Sequence, residues 1–87
     1  MSLTIEEKNQ TRLELKKNYE ISELTFEIIQ SDLNFTSAEL THAFELTQGH
    51  DPTNVWKLRD YLEKKILEQG KVFYPFSILK KNIYYPY

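Results

Sequence analysis

Two Thr-x-x-Glu boxes, Thr4 with Glu7 and Thr36 with Glu39, restrict this chain more than anything else in it. In such a box the threonine hydroxyl takes the backbone N–H three residues on, and the glutamate reaches back to the threonine N–H. Two orphan donors at a helix start are thereby satisfied. Thr25 before "FEII" marks a third start. Asp51–Pro52 marks a fourth, with Pro52 at the first helical position, where its missing N–H costs nothing. Gly70 and Asn34 supply stop signals, because both residues tolerate the left-handed backbone of a helix C-terminus. With 40% apolar residues, 28% charged residues and only two glycines in 87, the expected fold is all-α and a single domain over 1–87.

The helical periods fill in the elements. A first helix is expected from Thr4 to about Tyr19, polar nearly all round, with Leu13 and Tyr19 as its clearer inward contacts. A second runs from Thr25 to Asp32 or Leu33, turning Ile28, Ile29 and Leu33 inward. A third follows Thr36 and buries Leu40, Ala43, Phe44 and Leu46. The fourth, "TNVWKLRDYLEKKILEQG", carries the most regular stripe: Val55, Leu58, Leu62 and Ile66, widened by Trp56 and Tyr61. Beyond Gly70 the aromatic tail 71–87 holds six of the twelve aromatics, two prolines and no acid. A short fifth helical turn is expected from Pro75. The whole is a small five-helix bundle with a helix-turn-helix-like centre at 24–47.

Composition excludes several classes. Without cysteine there is no disulfide framework, no thiolate nucleophile and no sulfur-ligated zinc. No window approaches a membrane span, and the opening "MSLTIEEKNQ" is not a signal peptide, so cytoplasmic residence is expected. His42 and His50 match no common zinc spacing, no nucleophile elbow or phosphate-cradling glycine loop occurs, and neither catalytic residues, cofactor nor metal is expected. Net charge is −2 but polarised. Residues 1–54 hold four basic against ten acidic residues, net −6, and residues 55–87 seven against three, net +4.

The segment "LTFEIIQSDLNFTSAEL" resembles the helix-turn-helix of the lambda-repressor-like class. The residues that carry the likeness are Leu24, Thr25, Ile29, Leu33, Asn34, Phe35, Thr36 and Leu40. The chain departs from that pattern at Gln30, where the class has a small residue, and at Asn34, where it has glycine. Over its full length the chain also resembles a family of short bacterial proteins catalogued as domain of unknown function 2316. "MSLT", "NYEISELT", "VWKLRDYLEKKI" and "PFSILKKNIYYPY" carry that resemblance, with Trp56, Arg59 and the terminal "YPY" falling outside any generic motif. It implies a fold and no activity.

A non-enzymatic protein-interaction or regulatory-type domain is the expected function, and a DNA-binding transcriptional regulator the alternative. Duplex binding needs phosphate neutralisation and base readout. The third helix would present Ser37, Thr41, His42 and Gln48 to the groove, with Lys57 and Arg59 on phosphates, but its Glu39 and Glu45 oppose a polyanion. As an interaction surface the tail offers Tyr84, Tyr85 and Tyr87, residues of the kind that anchor interfaces. They compete for that role with self-packing onto the core. A homodimer or a protein partner is expected, with no membrane and no small-molecule ligand.

Overall fold

The computed structural model describes residues 4–47 and 52–79. Four helices lie among them: α1 (Ile5–Ser22), α2 (Phe26–Leu33), α3 (Ser37–Glu45) and α4 (Pro52–Glu68). Both capping boxes form. Glu7 N–H donates to the Thr4 hydroxyl at 3.1 Å while Thr4 N–H donates to Glu7 Oε1 at 3.0 Å. The Thr36–Glu39 box closes likewise at 3.1 and 2.8 Å. Thr25 caps α2 by accepting from Ile28 N–H.

The helix ends are as local as the starts. Asn34 takes φ 57° and ψ 42°, and the Phe35 N–H returns to the Gln30 carbonyl at 3.0 Å while Asn34 N–H reaches Ser31. That double closure satisfies two of the carbonyls a helix leaves free. Gly70, at φ 77°, ends α4 in the same way through Lys71 N–H to Ile66 and Gly70 N–H to Leu67. Glu23 and Leu46 also enter the left-handed region.

Helix α4 packs against α1 and α3, and α2 against α4. Leu15, Ile29, Leu40, Leu58 and Leu62 are fully buried in the resulting core, joined by Phe35, Ala43, Leu46, Val55, Phe76 and Leu79. The stripe expected on the fourth helix is therefore its buried side. Two expected inward residues are not. Leu13 is 43% exposed and Ile28 45%.

Helix α1 corrects its expected boundary and face. It continues to Ser22, and what it buries is mostly polar: Thr11, Glu14, Asn18 and Ser22 alongside Leu15. The Thr11 and Ser22 hydroxyls donate to carbonyls of their own helix, those of Glu7 and Tyr19, whereas Asn18 and Glu14 find partners on the segment 71–79, which crosses α1 as a strap. Asn18 donates to the Tyr74 carbonyl at 2.9 Å and accepts from Tyr74 N–H at 2.7 Å. Glu14 accepts from Ser77 N–H at 3.0 Å, from the Ser77 hydroxyl at 2.5 Å and from Gln10 at 2.8 Å. Pro75 accordingly opens no helix. Residues 71–76 carry no regular structure and 77–79 bend, because the Tyr74 backbone that a helical turn would use is already paired to Asn18.

Candidate functional site

On the other side of α1 from the strap lies a groove walled by three helices. Arg12, Leu13, Lys16 and Tyr19 come from α1, Phe26 from α2, and Thr41, Phe44 and Glu45 from α3; together they enclose about 440 Å³. The floor is aromatic. Phe44 meets Tyr19 edge to face with ring centroids 5.3 Å apart, and Phe26 stacks on Phe44 at 6.5 Å. Such pairs hold ring orientation as well as burying area. Leu13 forms an exposed apolar lip.

The rim is charged. The Arg12 Nε donates to the Glu45 backbone carbonyl at 2.8 Å, placing a cation at the negative end of α3, and its Nη1 reaches Asn9 Oδ1 at 2.6 Å. Two of five guanidinium donors are thereby used. Lys16 is exposed one turn further along and forms no ion pair with a described residue. Glu45 supplies the single acid of the lining.

Of the described candidate site residues singled out from the sequence, Thr41 alone lines this groove. Ser37 and Thr41 are exposed on α3, His42 is half-buried there, and Lys57 is exposed on α4. Gln48 lies outside the described residues, as do Tyr84, Tyr85 and Tyr87. Arg59 is a correction to the expectation of a phosphate contact. It is 3% exposed, its Nε donates to the Leu79 carbonyl at 2.6 Å, and its Nη1 meets Asp60 at 2.9 Å and Glu63 at 3.2 Å. Its guanidinium also lies 4.7 Å from the centre of the Phe76 ring. With two carboxylates, a carbonyl and an aromatic face as neighbours, it ties the strap to α4 and offers nothing to solvent. The groove escaped the sequence reading because its lining comes from three separated segments, although Leu13 on an otherwise polar helix was its visible trace.

Two further contacts brace the scaffold. The Tyr61 hydroxyl donates to Asp32 at 2.5 Å, and its pKa is pushed up by burial and then by that carboxylate. Lys71 donates to the Ile21 carbonyl and to Glu23, whose carboxyl is held below its ordinary range first by the hydrogen bond and then by the charge of Lys71. Among the described residues no three His, Asp or Glu side chains gather as a metal site, and no helix is long and apolar enough to cross a membrane.

Residues 1–85 match the family model described as "Uncharacterized protein conserved in bacteria (DUF2316)". The chain belongs to that family. The matched residues include α1, the groove and the strap. No curated protein and no solved structure matches the chain.

Proposed function

We propose that this DUF2316 protein is a non-enzymatic, regulatory-type interaction domain, in which α2 and α3 form a helix-turn-helix-like scaffold and the α1–α2–α3 groove receives part of another protein. The observation that carries the reading is the groove itself: an aromatic floor and an exposed Leu13 lip that no other described residue covers. Exposed apolar surface gathered in one concave place, rimmed by polar groups, is the usual form of an interaction site. A cytoplasmic setting fits a chain without cysteine.

Amide chemical-shift mapping with a small apolar probe, indole, tests this. Shifts concentrated at Leu13, Tyr19, Phe26 and Phe44 support the reading, and shifts scattered over the surface overturn it. Light scattering over a concentration series identifies a second copy as the partner if mass doubles in the native chain and not in Leu13→Asp.

A second reading, duplex DNA at the tip of α3, draws on the exposure of Ser37 and Thr41. Glu39 and Glu45 on the same helix weigh against it, and Arg59 no longer counts among its cations. Loss of fluorescence-anisotropy binding to a duplex as salt rises would favour it, since phosphate contacts release counterions. No binding even at low salt would dismiss it.

A further inference from the structure

All four basic residues of the first half of the chain, Lys8, Arg12, Lys16 and Lys17, stand on α1. Three of them, Lys8, Arg12 and Lys16, repeat every fourth residue. A helix rises about 6 Å in four residues, so this is a slowly drifting row of cations. The row runs into the groove, whose rim includes Arg12 and Lys16. Neither Lys8 nor Lys16 has an ion-pair partner among the described residues. The buried acid of α1, Glu14, faces the strap and is engaged by Ser77, so it does not neutralise the row. Exposed acids of the neighbouring elements include Glu6 and Glu20 on α1, Glu27 on α2 and Glu45 at the far rim, and of these only Glu45 lines the groove.

We propose that the groove takes an acidic amphipathic helix, which sets apolar side chains beside Leu13 and on the Phe44 floor and lines carboxylates against Lys8, Arg12 and Lys16. This rests on the interaction reading above and names the chemistry of its partner. A second helix laid along α1 presents side chains at the same four-residue rise. Carboxylates in an i, i+4, i+8 row therefore meet the cations in register, as flanking charges do between paired helices. The apolar floor calls for anchors at i, i+3 and i+4 on the adjoining stripe of the partner, the pattern of a helix lying in a groove. A duplex would satisfy the cations and leave the aromatic floor without a counterpart, its bases being stacked inside the helix.

The test uses three labelled helical peptides of about four turns with identical leucines, differing only in whether the flanking row is glutamate, glutamine or lysine. Binding to the full chain is read by fluorescence anisotropy at low and moderate salt. The glutamate peptide is expected to bind about tenfold tighter than the glutamine one, with the margin shrinking as salt rises, and the lysine peptide weakest. Lys16→Glu should narrow the margin of the glutamate peptide over the lysine one, Leu13→Ser should weaken all three, and Lys57→Glu, on α4 and outside the groove lining, should leave order and margin intact. Equal binding of the glutamate and glutamine peptides, still weakened by Leu13→Ser, overturns the acidic partner and leaves the groove reading standing. No binding by any peptide, or binding indifferent to Leu13→Ser, overturns both. Circular dichroism of each variant confirms that it is folded.

Discussion

Asn18 and Tyr74 bind each other twice across 56 positions of sequence, the side-chain amide giving and taking one hydrogen bond each with the Tyr74 backbone at 2.9 and 2.7 Å. A side chain here imitates a strand partner. The pair holds the strap on α1 and thereby keeps Phe76 and Leu79 in the core. Asn18→Ala should destabilise the fold by about 1–3 kcal/mol, the cost of leaving partly buried backbone groups unpaired. Asn18→Asp, able to accept from Tyr74 N–H but not to donate, should fall in the same range. Urea denaturation checks both.

Glu14 answers to three donors, Gln10, Ser77 N–H and the Ser77 hydroxyl. Glu14→Gln keeps the shape but turns an amide NH₂ toward donors. The expected loss is about 1–3 kcal/mol, and Ser77→Ala, which removes one donor and leaves the others, should lose less. Thermal and urea midpoints of the two variants rank them.

Arg59 cannot be replaced conservatively. Lysine lacks the fork that lets Nε reach Leu79 while Nη1 holds Asp60 and Glu63. Arg59→Lys should cost about 2 kcal/mol, and Arg59→Ala more, because two partly buried carboxylates would lose their cation. Neither change should alter peptide binding at the groove, which anisotropy on the folded variants would show.

How far these features could be read from the chain depends on sequence distance. The boxes at Thr4–Glu7 and Thr36–Glu39 and the left-handed Asn34 each close within a few residues, so local chemistry dictates them. Asn18, Glu14 and Arg59 find their partners 56, 63 and 20 residues away. Nothing in the neighbourhood of α1 signals that a polar face will be buried. The same cause misplaced Leu13. On a helix whose buried side is polar, apolar residues no longer mark the core, and an exposed leucine looks like an inward one. Pro75 offered a helix start, and the pairing of Tyr74 to Asn18 overrode it.

Asn34→Gly should leave stability unchanged or raise it slightly, since the backbone is already left-handed, whereas Asn34→Ala should cost about 1 kcal/mol. Denaturation midpoints of the pair separate the two.

Stability should fall on the alkaline side through Tyr61. Its phenol is harder to ionise when folded, so the folded state retains a proton the unfolded chain releases. The contribution is complete below the ordinary tyrosine value near 10 and declines as pH rises above it. Tyr61→Phe should flatten that decline above about pH 10. Glu23 works in the opposite sense. Its lowered value contributes stability that is present above the ordinary glutamate range and lost as pH falls through the folded value. Lys71→Ala should remove that dependence. Denaturation midpoints across pH report both.

The most direct test of the groove as the working surface is amide shift mapping of one labelled sample, titrated first with the acidic helical peptide and then, afresh, with duplex DNA. The peptide should move Leu13, Tyr19, Phe26 and Phe44, and the duplex should move none of them or the α3 tip. Shifts at Ser37 on adding duplex, with the groove silent to the peptide, would contradict the account.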